Sequence, residues 1–260
     1  MKTLLAALLL TLGACALDGD PEATGETDQA LVGLFDTGMY SCSNWIYGCS
    51  FDTGIPLQFG QTCVLSGIGG DLTFSQLDVG PNGTIPGTSH IVLNMRPSPG
   101  RTVKGAVTCV VGGGFTGSAT WNSSQTAASL GASGSTSECG LTSLHNSNGL
   151  SSSAEDIKVF RDTDRNRTWR LGGTVTGGHV ITASAACWGA TFLGGLSNYA
   201  FDWVSPSEYS PYRDGMGCTP VRFAGAFTNN SASAWSFGND QNLTWNLNVA
   251  YAGATTECAQ

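Results

Sequence analysis

Three stretches of this chain end alike: "VKGAVTC" closes on Cys109, "ITASAAC" on Cys187 and "AGATTEC" on Cys258. Each has an opening partner upstream, Cys63 in "CVLSGIGGDL", Cys139 in "CGLTSLHNSNGL" and Cys218 in "CTPVRFAGAF", with an apolar residue five positions later at Ile68, Leu144 and Phe223. A tryptophan precedes each opening cysteine, at Trp45, Trp121 and Trp203. A Trp, Cys, Cys pattern used three times identifies three related units, and self-similarity of this kind limits the possible folds more than any other signal in the chain.

Inside the units the runs are short and alternating or β-branched. "HIVLNM", "DIKVF", "TWRLGG", "SAWSF" and "LTWNLNVAY" are separated by Gly, Asn, Asp and Pro, the pattern of strands joined by turns. No long segment carries a helical period. Composition agrees: 36 glycines and 12% charged residues, against roughly 25% for an average domain, describe a turn-rich and lightly charged chain. The fold class is therefore all-β, three related disulfide-closed units, with boundaries at 39–120, 121–202 and 203–260. In the strands that end on the closing cysteines, period two selects Val103, Gly105 and Val107, then Ile181, Ala183 and Ala185, and the residues between them are small as well. Small side chains on both faces predict a strand approached closely from both sides, hence central in its unit.

Apart from Cys15, eight cysteines remain. Repetition selects the pairs Cys63–Cys109, Cys139–Cys187 and Cys218–Cys258, which leaves Cys42 with Cys49. A unit of this size is marginal on its own core, and closing a loop of forty to fifty residues contributes roughly 4 kcal/mol on the chain-entropy account. Such bonds need an oxidising compartment. No CxxC occurs, so neither zinc nor any other metal or cofactor is expected.

The chain begins "MKTLLAALLLTLGACALDGD": one positive charge, a largely apolar run over residues 4–12 too short to span a bilayer, then small residues. It reads as an export signal, residues 1–14. Leu12, Gly13, Ala14 and Cys15 resemble the lipobox of bacterial lipoproteins. That resemblance implies lipid on the Cys15 thiol, cleavage before it, and placement at the outer membrane or cell surface, with the lipid anchor as the only membrane contact. Ordinary signal cleavage after Ala16, giving a soluble secreted protein, is the alternative. Residues 15–38 form an acidic tether whose composition opposes ordering. The pattern "CGLT", "WRLGG", "ITASAAC" resembles, loosely, a Cys-bracketed module of secreted bacterial and phage tail proteins; no activity follows from that.

The net charge of -8 makes nucleic acid an improbable partner, because phosphate binding needs a basic footprint. The segment "NYAFDWVSPSEYSPYRDG" places Tyr209, Tyr212 and Asp214 among prolines, and aromatics beside a carboxylate in a loop suit sugar binding. These three are the sequence-based candidate ligand residues. The run "KVFRDTDRNRTWR" reads as a solvated hairpin. Asp162, Asp164 and Asn166 imitate a calcium loop, but Arg167 and Gly173 stand where glycine and glutamate are required. Glu155 and Asp156 are adjacent, so on a strand they face opposite ways and cannot flank one bond. No nucleophile-elbow or HExxH motif occurs and no catalytic residue is assigned. The expected function is a surface binding or adhesion module for a glycan or another surface protein. A structural envelope protein is the second reading and a hydrolase the third. The three units either share a core around a pseudo-threefold axis or run as beads; the first is expected, because Trp121 and Trp203 at the seams need burial.

Overall fold

The computed structural model describes residues 34–58, 60–81, 90–111, 114–134, 137–189, 199–204, 217–239, 244–250 and 252–259. Cys15, Tyr209, Tyr212 and Asp214 lie outside the described residues. Every regular element among those described is a β-strand. The first unit begins ahead of residue 39, because residues 34–36 of the expected tether pair with its last strand: it contributes β1 (Leu34–Asp36), β2 (Tyr40–Cys42), β3 (Cys49–Pro56), β4 (Thr62–Asp71), β5 (Ser75–Pro81), β6 (His90–Arg96) and β7 (Val103–Val110). The second contributes β8 (Phe115–Asn122), β9 (Ala128–Ser129), β10 (Ser137–Ser147), β11 (Asp156–Arg161), β12 (Trp169–Thr174) and β13 (Val180–Gly189). The third contributes β14 (Tyr199–Val204), β15 (Gly217–Gly225), β16 (Thr228–Asn239), β17 (Thr244–Ala250) and β18 (Ala252–Ala259).

The strands carrying paired cysteines lie side by side and antiparallel: β4 with β7, β10 with β13, β15 with β18. Cys63 stands directly opposite Cys109 and Cys139 opposite Cys187, each pair bonded with a Cα–Cα distance of 4.0 Å. The register sets Cys218 opposite Cys258 in the same way. Cys42 and Cys49 are bonded across a short loop. Each closing-cysteine strand is flanked on both sides, by β1 and β2, by β8 or by β14, as its small residues predict.

A β-bulge falls at the same place in all three pairs, between Leu65 and Gly67, between Leu141 and Ser143, and between Pro220 and Arg222. The extra residue shifts the pairing by one. Consequently the apolar residue five positions after the opening cysteine meets the small residue four positions before the closing one: Ile68 opposite Gly105, Leu144 opposite Ala183, Phe223 opposite Ala254. The next strand then sets Tyr40 opposite Gly105, Trp121 opposite Ala183 and Trp203 opposite Ala254. A large, small, large row across three strands explains the small residues of "ITASAAC" and its two copies. A Cβ on Gly105 would come within 3.0–3.2 Å of Leu93, Leu77 and Met95.

These rows also correct the sequence repeat. Trp121 is buried as expected, but the first unit's counterpart at that ladder position is Tyr40, stacked on Phe51 with ring centroids 5.0 Å apart. Trp45, at a similar sequence spacing, sits in a turn and is half exposed. Spacing along the chain misassigned it, because the register, and not the residue count, decides which side chains align.

Each sheet is completed by the unit before it. The first runs β1-β7-β4-β16-β17, taking a hairpin from the third unit; the second runs β3-β6-β5-β10-β13-β8, taking strands from the first; the third runs β14-β18-β15-β11-β12-β9, taking strands from the second. The connectivity is cyclic, so beads are not formed: Val32–Gln260 is one compact unit. The opening-cysteine strands β4, β10 and β15 pack against one another, and one apolar cluster contains Ile68, Leu144 and Phe223 from the three units. Leu72, Leu150 and Phe227 meet at one end, where the Leu72 N–H donates to Phe227 O at 2.8 Å and the Phe227 N–H to Leu150 O at 2.7 Å. Units too small to bury a core alone thus share one, and the disulfides supplement it.

Candidate functional site

Several charges of the β11–β12 hairpin are bonded to neighbouring side chains and backbone. Arg161 is buried, bonded to Glu138 at 2.8 Å and lying over the Trp169 ring at 4.4 Å. Arg170 pairs with Asp162, while Asp164 Oδ1 accepts the Thr168 N–H at 2.8 Å. The carboxylates of the resembled calcium loop are therefore turned to separate partners, and among the described residues no cluster of metal-binding groups forms.

Glu155 and Asp156 serve different neighbourhoods, as adjacent residues should. Asp156 accepts from Arg222 Nε at 2.8 Å and from the Thr174 N–H at 2.7 Å. Glu155 is fully buried and accepts the Thr176 and Ser151 amides, the Ser151 hydroxyl and His179 Nδ1, the last at 2.9 Å. Burial pushes its carboxyl upward, but these hydrogen bonds outweigh it and hold the pKa at about 2, well below the ordinary value of 4.5. The Ser151 hydroxyl donates to the carboxylate and not to the imidazole, so the group is a clamp between two turns.

The cleft with chemical capacity lies at one end of the second sheet. Three elements build it. The first is the loop closed by Cys42–Cys49, where the Gly48 N–H donates to Asn44 O at 3.0 Å and the Tyr47 N–H to Asn44 Oδ1 at 3.3 Å. Gly48 has φ +72°, and a Cβ there would sit 2.8 Å from Met95 O, so glycine lets the loop settle onto the end of β6. The loop turns Trp45 (47% exposed) and Tyr47 (88% exposed) outward.

The second element is the turn after β4. Asp71 Oδ1 accepts the Thr73 N–H, the Ser75 hydroxyl donates to Leu72 O at 2.7 Å, and the Ser98 hydroxyl donates to Thr73 O with Phe74 O also within reach at 3.1 Å. These bonds hold Phe74 at φ +51°, a left-handed conformation that costs a non-glycine residue about 1 kcal/mol, and present its ring 61% exposed.

The third element is the outward row of β6, β5 and β10, in which Arg96 stands opposite Gln76 and Gln76 opposite His145. His145 Nε2 is 2.8 Å from Asp78 Oδ1. Together these elements enclose a cleft of about 460 Å³ between Trp45 and Phe74, floored by Gln76, Arg96, Ser98 and His145. Strands of the first unit and β10 of the second form it jointly. Sequence reasoning missed it, having read Trp45 as a repeat marker and left Phe74 and Arg96 unremarked. The short loop "CSNWIYGC", with three large apolar residues between bonded cysteines, was the available signal.

Comparison with protein-family models, with curated proteins and with solved structures finds no match to this chain.

Proposed function

We propose that this chain is an exported carbohydrate-binding module that takes its ligand in the Trp45–Phe74 cleft. One observation carries the reading: two aromatic rings are held exposed on rigid supports, a disulfide-closed loop and a strained turn, beside amide, hydroxyl, imidazole and guanidinium groups. An exposed aromatic face stacks on the C–H face of a pyranose, and the polar floor bonds its hydroxyls. Strain retained at an exposed phenylalanine contributes nothing to the core, which favours a ligand as its reason.

The disulfides are consistent with export. Within that, the lipobox-like segment supports anchoring through lipid on Cys15, with the acidic stretch between Cys15 and β1 as the spacer that holds the module off an envelope surface. Metabolic labelling with a fatty acid tests this: the label enters the natural chain and is absent from Cys15→Ser.

A glycan array probed with the leaderless protein tests the binding reading. Binding that is abolished in Trp45→Ala and Phe74→Ala supports it. Full binding by both variants would move the ligand to Tyr209, Tyr212 and Asp214, and binding to no glycan would favour an envelope protein without a small ligand.

A further inference from the structure

The cleft is the end of a longer feature. The register continues its floor across two further strands: His145 stands opposite Thr182, and Thr182 opposite Asn122. The row Arg96, Gln76, His145, Thr182, Asn122 thus crosses β6, β5, β10, β13 and β8, and none of the five is buried. Directly opposite residues of an antiparallel sheet share a face. The neighbouring positions Met95, Leu77, Leu144, Ala183 and Trp121 are all buried, so this row faces outward. The row behind it continues the polar character, with Thr120 and Ser184 hydroxyls 2.9 Å apart.

This surface keeps hydrogen-bonding capacity in reserve. Asn122 Nδ2 donates to Thr182 Oγ1 at 3.0 Å, which leaves the threonine hydroxyl hydrogen free to donate outward. Five strands at about 4.8 Å spacing span roughly 19 Å. A pyranose unit in a linear chain advances by about one strand spacing, so the row matches a segment of about four units.

We propose that the protein binds the interior of a linear polysaccharide, one unit stacked between Trp45 and Phe74 and the following units laid across the strands toward Asn122. This rests on the carbohydrate reading of the cleft and adds to it the class of ligand, an extended chain in place of a single terminal sugar. The aromatic end supplies stacking; the row supplies one set of hydroxyl contacts per strand, so affinity grows with chain length.

The test is calorimetry on the leaderless protein with linear β-1,4-linked gluco-, manno- and chito-oligosaccharides of about two to six units. Affinity for the series that binds rises about tenfold or more between the two-unit and five-unit members. Thr182→Val keeps a residue suited to a strand; it binds the two-unit sugar as the natural protein does and binds the five-unit sugar about three- to tenfold more weakly. Affinity independent of length, or a Thr182→Val loss equal for short and long sugars, overturns the extended site and leaves the cleft intact as a sugar site. Binding to none of the series, together with a blank array, overturns the carbohydrate reading itself.

Discussion

The outer faces of the second and third sheets are built on the same frame and differ in the kind of polar group they present: ion pairs on the third, mostly neutral amides and hydroxyls on the second. On the third sheet Asp156 is bonded to Arg222 at 2.8 Å and lies 3.7 Å from Lys158, whose ammonium sits 5.4 Å from the Phe160 ring centroid, while Arg170 holds Asp162. On the second sheet the row from Arg96 to Asn122 consists mostly of amides and hydroxyls, bordered by two exposed aromatics. Groups already bonded to each other have little left for a ligand; groups held in place with free donors and acceptors have much. In a fold of repeated units, one frame can thus carry outer faces of different chemistry, and the proposed binding reading uses the neutral one.

Variants test the two sheets separately. Removing the disulfide of the second sheet, Cys139→Ala with Cys187→Ala, lowers stability by about 4 kcal/mol in urea unfolding. Peptide mapping of the natural protein should recover Cys218 linked to Cys258, by analogy with the other two pairs in the same register. Glu138→Gln removes the carboxylate charge of the buried ion pair with Arg161 and lowers stability by about 3 kcal/mol, without changing glycan affinity by calorimetry. A parallel loss of affinity would show that this buried link between β10 and β11 also supports the cleft.

Trp45→Ala with Phe74→Ala has the complementary outcome, about a hundredfold loss of affinity with an unchanged melting temperature. The last test concerns the Glu155 clamp. Its carboxyl is held at about 2 against 4.5 unfolded, so its stabilisation is complete above pH 4.5 and is lost as pH falls toward 2. Melting temperatures measured across that window should fall less steeply for Glu155→Gln than for the natural chain.

Much of the frame was legible in the residues. Repetition of Cys63, Cys139 and Cys218 with their closing partners predicted the strand pairs, and the small residues before Cys109 and Cys187 predicted central strands. Period two also singled out Ala183 and Ala185, which the structure buries. The cleft was not legible, because Arg96, Gln76 and His145 belong to two different units and become neighbours only when β5 of the first pairs with β10 of the second.

By itself, then, the sequence determined the class of fold, the unit and its staples, because alternation, turn residues and repeated cysteines are local signals. Tertiary structure alone decided which unit completes which sheet, that Tyr40 rather than Trp45 aligns with Trp121, and which outer face stays open. Hydrogen-bonded register between distant strands settles those points, and a one-residue bulge is enough to change every partner beyond it.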